Sequence, residues 1–315
     1  MDKKSIYINV AMGLGGNISL TYVTKELHEK YDKVCVMSPY YDCYICDPYV
    51  DRVYKPEEAR DFIFDAEAED GFIMTQRIYD MSDFIKKRLS YSDAWRILCG
   101  LEPKGDGVDG STGTHTLEVY KNYPALMQQN EQIMKQIKEQ GYKDFILINF
   151  EGGVSPLQNV PNGDWSKVPD PYGNEPLVRN YPRDKAQKFV DLYRKANPKT
   201  AIINYSLPNQ GSYTGTIKNV VPYLAYYELS KLPECKGAVT IDSSLQHLIS
   251  GNCPVTTLWA HSLPNSFGHV GNKNIIQNCR RNDLLYFTML GKSGAKVDYI
   301  EPEDLLNAIQ KEESK

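Results

Sequence analysis

Residues 242–247 read Asp-Ser-Ser-Leu-Gln-His and follow the apolar run Ala238-Val239-Thr240-Ile241. A buried strand that ends on an aspartate and passes into two serines predicts a helix starting at Ser243, with hydroxyls and unpaired backbone N–H groups in its first turn. With the positive end of the helix dipole, the N–H groups around Ser243, Ser244 and Leu245 make a ready site for a diphosphate. An ordinary helix cap has the same sequence, so both readings stand on these residues alone. His247, one turn further on, either faces the same site or packs in the interface.

Other chemistries are argued against by what is missing. The early glycines give Gly13-x-Gly15-x-x-Ile18 rather than three glycines, and Val36-Met37-Ser38-Pro39 closes the second strand without an acid, which speaks against a dinucleotide redox cofactor. Gly291-Lys292-Ser293 resembles the end of a phosphate-binding loop, but Tyr286 stands where the first glycine is required. There is no Gly-x-Ser-x-Gly elbow and no pair of aspartates one residue apart, so neither a hydrolase serine nor the simplest metal–diphosphate clamp is present. Cys43-x-x-Cys46 has metal-ligand spacing without a second pair nearby, and reads as two incidental thiols.

An α/β scaffold must hold these residues, and the hydrophobic pattern predicts one. Ser5–Val10 is rich in strand formers, Gly13-Leu14-Gly15-Gly16 breaks it, and Ile18–Lys30 has the length and amphipathic spacing of one helix. Lys33–Met37 is a second apolar run and Asp47–Tyr54 leads into a third, so the opening is a βαβ unit with a parallel sheet. Ile73-Met74-Thr75 adds a strand, with helical stretches at 82–89 and 92–98, then a polar, glycine-rich loop at 102–116. Ala125–Gln140 is a helix closed by Gly141, a good residue for the left-handed turn after a helix. Phe145–Phe150 is the strongest buried-strand signal, which sets a domain boundary near residue 143 and divides the chain into 1–143 and 144–315. After a long loop to about residue 180, helices at 182–196, 219–231, 243–250 and 301–311 alternate with strands at 200–205, 238–241 and 254–259. The expected fold class is α/β, two Rossmann-like domains facing across a cleft, with ligands at the carboxyl ends of the strands.

Composition narrows the class further. The 315 residues are 41% hydrophobic and 24% charged, ordinary for a globular chain. Lys and Arg number 36 against 40 Asp and Glu, a net charge of −4, which argues against a broad basic footprint for nucleic acid but not against a local groove. No run approaches the roughly 20 apolar residues of a membrane helix. The first residues pass from a short basic start into a strand with no signal-peptide core, so a cytoplasmic protein without a membrane span is expected. Seven scattered cysteines, an odd number, suit reduced thiols there.

Three further stretches extend the Asp242–His247 segment. Pro254–Trp259 opens the next strand and Pro264 with Phe267-Gly268 a turn; Gly15-Gly16-Asn17-Ile18 leads through Leu27 and Tyr31 to Asp47-Pro48-Tyr49-Val50-Asp51-Arg52-Val53; and Arg179-Asn180-Tyr181-Pro182 ends the long loop. In this order the sequence resembles glycosyltransferase family 9, the ADP-heptose:lipopolysaccharide heptosyltransferases and their relatives, over most of its length. The resemblance implies the GT-B fold and inverting transfer of a sugar from a nucleotide-diphosphate donor to an acceptor hydroxyl. It implies no metal and no cofactor, the nucleotide sugar being a co-substrate. Arg179 matches the cation of the family's Lys/Arg-x-Trp-Pro element, which binds phosphate. The donor set it implies is Arg179, Asp242, Ser243, Ser244, Leu245 and His247, in the C-terminal domain, with Gly15, Gly16 and Asn17 forming the acceptor-side loop.

Asn17 departs from the family, which carries at that position an aspartate proposed as the general base. An amide has no useful basicity. Either the acceptor differs or the proton goes elsewhere, for which Glu151, Asp42 and Asp47 are the candidates, Glu151 first because it follows the strongest strand and Gly152-Gly153 let a ligand approach the backbone. Glu151 equally suits a structural task, capping a helix or binding Arg179. The other readings are a non-catalytic nucleotide-sugar-binding module, which Asn17 favours, and a sugar-nucleotide epimerase or hydrolase. A glycan, a protein or a modified nucleic-acid base all fit as acceptor.

Overall fold

A computed structural model describes residues 4–45, 47–86, 89–105, 124–152, 179–205, 212–219, 223–260, 262, 264–269, 271–279 and 297–313. Cys46, most of the 102–116 loop and Gly291-Lys292-Ser293 lie outside them. The chain forms two compact units: one runs to Pro124 and includes residues 265–270, and the other begins at Ala125 and holds the remaining described residues.

The first unit alternates strands and helices: β1 (Ile6–Asn9), α1 (Leu14–Leu20), α2 (Thr24–Lys30), β2 (Val34–Met37), β3 (Arg52–Tyr54), α3 (Ala59–Ala68), β4 (Phe72–Met74), α4 (Ser82–Ile85) and α5 (Tyr91–Leu98). The four strands lie in the order β3-β2-β1-β4 and all pair in parallel, as the βαβ opening predicts. The helix expected at 18–30 is split. It starts earlier, at Leu14, and breaks over residues 21–23. Ser19 and Thr21 return their hydroxyls to the carbonyls of Gly16 and Ile18 at 2.7 Å, and Thr24 donates to the carbonyl of Thr21 at 3.0 Å. Hydroxyls that compete for helix carbonyls, beside the stiff Thr21 and Val23, end the first helix and begin a second. Residues 265–270 complete this unit: Phe267 packs edge-on against Phe84 and Tyr91, with ring centroids 5.3 and 4.8 Å away.

The second unit comprises α6 (Pro124–Glu139), β5 (Asp144–Asn149), α7 (Arg183–Ala196), β6 (Thr200–Tyr205), β7 (Ile217–Asn219), α8 (Tyr223–Ser230), β8 (Cys235–Ile241), α9 (Ser244–Ile249), β9 (Val255–Trp259), α10 (Pro264–Phe267, from its proline only), β10 (Lys273–Ile276), a short antiparallel pair β11 (Asn278–Cys279) and β12 (Val297–Asp298), and α11 (Pro302–Glu313). Gly141, after α6, takes φ +81°, the left-handed turn expected of it. Six strands pair in parallel in the order β10-β9-β8-β5-β6-β7. On one face Ile146, Ile148 and Phe150 of β5 and its end join Phe189, Val190 and Tyr193 of α7 and Leu305 of α11 in a single core. Period-two alternation along β5 puts Phe145 and Leu147 on the opposite face.

β5 is the central strand and the first in chain order. From it the chain runs to one side through β6 and β7, then returns to lay β8, β9 and β10 on the other. Strand order therefore reverses between β5 and β8, and in open parallel sheets ligands bind outside the carboxyl ends of the strands at such a reversal. Among the described residues no helix is long and apolar enough to cross a membrane.

Candidate functional site

The carboxyl ends of β5 and β8 bring together two segments far apart in the chain. Asn149 closes β5, and its side-chain oxygen accepts from the Ser243 hydroxyl at 2.5 Å, while its amide donates to the carbonyls of Glu151 and Tyr205 at 3.0 and 3.1 Å. Ser243 stands at the N-cap of α9, but its hydroxyl makes no cap hydrogen bond and goes to Asn149 instead. Tying the serine across the switch point keeps that hydroxyl from covering the first-turn N–H groups of α9.

Arg179 closes over the same place. Its Nη1 donates to the main-chain carbonyl of Asp242 at 3.3 Å, and a Cβ built on Gly152 would lie 2.6 Å from its Nε and 2.8 Å from its Cζ. Gly152 is thus the floor on which the guanidinium rests, held by its N–H donating to the Asn180 side chain at 2.8 Å. Asp242 is 4% exposed, accepting from Gln246 Nε2 at 3.0 Å and from the Ser262 hydroxyl. Burial pushes its carboxyl above the usual aspartate range, opposed first by the Arg179 charge and then by these two hydrogen bonds. An arginine fork beside a helix start whose first-turn N–H groups the Ser243 hydroxyl does not cover is a set of donors suited to a phosphate.

This architecture matches known structures over nearly the whole chain. It is similar to a glycosyl transferase family 9 structure from Veillonella parvula, with 12% identity over 98% of this chain and 97% of that one and a TM-score of 0.57. It is equally similar to E. coli ADP-heptose LPS heptosyltransferase II, at 12% identity, 99% and 100% coverage and a TM-score of 0.56. E. coli heptosyltransferase WaaC with ADP matches at 8% identity, 98% and 99% coverage and a TM-score of 0.53. The chain has the GT-B fold. No protein-family model and no curated protein matches the sequence.

Within the GT-B fold the expected donor residues divide by what their burial permits. Arg179, Ser243 and Ser244 are partly exposed at the β5–β8 switch point, whereas Leu245 is fully buried and offers a ligand only its backbone. His247 is buried too, which pushes its imidazole down to about 3 and keeps it neutral. A neutral ring brings no positive charge to a phosphate. Because its folded value lies below the ordinary 6.5, the unfolded chain takes up the proton first on acidification, so stability held above pH 6.5 is lost between pH 6.5 and 3. Urea unfolding across that window should show the native protein losing more stability than His247→Gln, a difference on the order of a few kcal/mol. Parallel acid limbs for the two proteins would mean that the ring is not buried in solution.

The three carboxylates considered as base have different surroundings. Asp47 is buried, accepting from the Thr24 hydroxyl at 2.7 Å and from the Tyr49 N–H at 3.0 Å, and so ties α2 to the turn before β3. Glu151 accepts from Arg183 Nη1 at 3.0 Å and from the Tyr213 hydroxyl at 3.3 Å. Its cation is Arg183 rather than Arg179. Asp42 is partly exposed in the single turn Tyr41–Cys43 that follows β2, at the carboxyl end of the first sheet. Gly15, Gly16 and Asn17 lie in α1 beyond the end of β1, and Asn17 is wholly buried.

The residues that sequence reasoning missed are Asn149, Asn180, Gln246 and Ser262. Only Asn149 carried a signal, as a polar side chain ending an otherwise apolar strand. Among the described residues no group of three or more His, Cys, Asp or Glu side chains has the arrangement to hold a metal ion.

Proposed function

We propose that this protein is a metal-independent, inverting glycosyltransferase that moves a sugar from a nucleotide-diphosphate donor to an acceptor hydroxyl. The second unit takes the donor and the first the acceptor, which is a glycan, a protein or a modified nucleic-acid base. The observation that carries this reading is the Arg179 guanidinium resting on Gly152 beside Asp242–Ser244, at the switch point of the second sheet. The GT-B fold that the chain shares with the heptosyltransferases supports it.

In this reading the acceptor oxygen attacks the anomeric carbon opposite the diphosphate. The bond from that carbon to the diphosphate oxygen breaks, and its electron pair leaves with the diphosphate. Arg179, the Ser243 and Ser244 region and the first-turn N–H groups of α9 neutralise the charge as it develops, so the residues themselves supply the electrophilic help. The acceptor proton passes to a carboxylate. Asp47 is held by Thr24 and Tyr49, and Glu151 by Arg183 and Tyr213. Asp42 is the first choice because it is partly exposed at the carboxyl end of the first sheet, in the unit that takes the acceptor.

Mass spectrometry of the purified protein for a co-purifying nucleotide sugar, followed by a donor-hydrolysis screen, tests the reading directly. With a donor in hand, Asp42→Asn should lower transfer by about 100-fold or more with donor affinity nearly unchanged, since a general base contributes roughly 10²–10⁴. Glu151→Gln should cost less than about tenfold. The reverse ranking would make Glu151 the base. A second reading, a nucleotide-sugar-binding module without transferase activity, is favoured by Asn17, an amide where the resembled family has a carboxylate. It prevails if the protein binds donor and no acceptor in a broad screen receives sugar.

A further inference from the structure

At the end of β8 and β9 opposite the donor residues, two thiols meet because of a backbone irregularity. β8 pairs with β5 as Phe145↔Cys235 and then Ile146↔Gly237, so Lys236 is one residue too many and is bulged out. Lys236 is exposed while Cys235 and Gly237 on either side are buried. Gly237 takes φ +144°, a conformation that side-chain-bearing residues rarely adopt, and a Cβ there would lie 2.7 Å from the carbonyl oxygen of Pro254. On its other edge β8 pairs with β9 from Ala238↔Val255 onward. Counting back from that pair, a regular strand would set Lys236 opposite Cys253, but the bulge removes Lys236 from the count and sets Cys235 there instead.

Adjacent strands lie about 4.8 Å apart, inside the roughly 4.4–6.8 Å separation of Cα atoms that a disulfide spans. Cys235 is buried, Cys253 half-buried, and both are free. Their thiols hydrogen-bond to each other, Cys253 donating, which lowers Cys235 and raises Cys253. Cys35, Cys43 and Cys99 are also free and are buried in the first unit.

We propose that Cys235 and Cys253 are a redox-closable dithiol, reduced in this structure, which a hydroperoxide converts to a disulfide. One thiolate attacks the peroxide oxygen, giving a sulfenic acid and releasing water or an alcohol; the other thiolate then displaces hydroxide, which leaves as water, and forms the S–S bond. Two thiols lose two electrons and two protons, and the peroxide takes them up. The bond closes a loop containing β8, Asp242, Ser243 and α9, so oxidation clamps the segment that carries the switch-point residues. This inference does not depend on the glycosyltransferase reading.

The test is to treat the folded protein with one equivalent of hydrogen peroxide, alkylate the remaining thiols and map the peptides. The expected product has lost about 2 Da, the two thiol hydrogens, and yields one linked peptide pair joining Cys235 and Cys253. Cys35, Cys43 and Cys99 should stay reduced, and dithiothreitol should restore both thiols. Cys253→Ser and Cys235→Ser should each yield no linked pair, and protein treated in urea should give a mixture of linkages. Sulfinic acid at Cys253 with Cys235 untouched would overturn the proposal. So would the same mixture of linkages from folded and unfolded protein.

Discussion

Asn17→Asp should cost about 3–5 kcal/mol of stability at pH 7, the scale of an uncompensated buried charge, and should gain no transferase activity. Asn17 has no exposed surface. Its amide nitrogen donates to the carbonyls of Met12 and Gly13 at 3.0 and 3.1 Å, and its oxygen accepts from the hydroxyls of Ser38 and Tyr44 at 2.5 and 3.0 Å. Every lone pair and proton of the amide that these four groups can use is taken, and two of the partners are acceptors. A carboxylate in its place would set a negative oxygen against two carbonyl oxygens without water to shield it. The new carboxyl responds by holding its proton, which it donates to one of the two carbonyls. Its folded pKa then lies above the unfolded value, so the variant is least handicapped below about pH 4 and falls furthest behind as pH rises to neutrality. Urea unfolding at pH 5 and pH 7 reads this as a gap that widens with pH. A variant as stable as the native protein at pH 7, and more active, would show that the position is a vacated base rather than a structural joint.

Arg179→Met should weaken binding of a nucleoside diphosphate by about 100-fold, because a charge-assisted contact is lost and a buried carboxylate loses its counter-charge. Asp242 is the second half of that effect. Burial already pushes its carboxyl up and the Arg179 charge opposes this, so without the arginine Asp242 rises further. Arg179→Lys should recover only part of the loss, since an ammonium cannot reproduce the planar fork. Gly152→Ala should weaken binding in the same direction without removing any charge, because its Cβ would fall 2.6 Å from Nε of Arg179 and displace the guanidinium. Calorimetry with ADP and UDP measures all three variants. Unchanged diphosphate affinity in Arg179→Met would place the phosphate site elsewhere and remove the main support for the donor assignment.

The βα alternation was legible in the chain itself because it is a local property. Apolar runs such as Phe145–Phe150 mark buried strands, Gly141 marks a helix end, and the Asp-Ser-Ser stretch marks a strand passing into a helix wherever the sheet carries it. The two sheets, their parallel pairing and the position of Arg179 after the long loop follow from such patterns and from the family resemblance. Strand order does not, because no local pattern says that β8 returns to the far side of β5. Only the folded sheet sets Ser243 on Asn149, 94 positions away. Carboxylates show the limit most sharply. Asp47, Glu151 and Asp42 all follow strands, yet Asp47 is buried against Thr24, Glu151 lies against Arg183, and Asp42 sits in the single turn at the end of the first sheet. An isolated carboxylate takes its character from whichever cation or donor the tertiary fold brings within about 3 Å, and that partner is set by long-range packing. The bulge at Lys236 is the same lesson in the backbone: one extra residue changes which side chain meets Cys253, and only pairing with strands distant in sequence determines where that residue is spent.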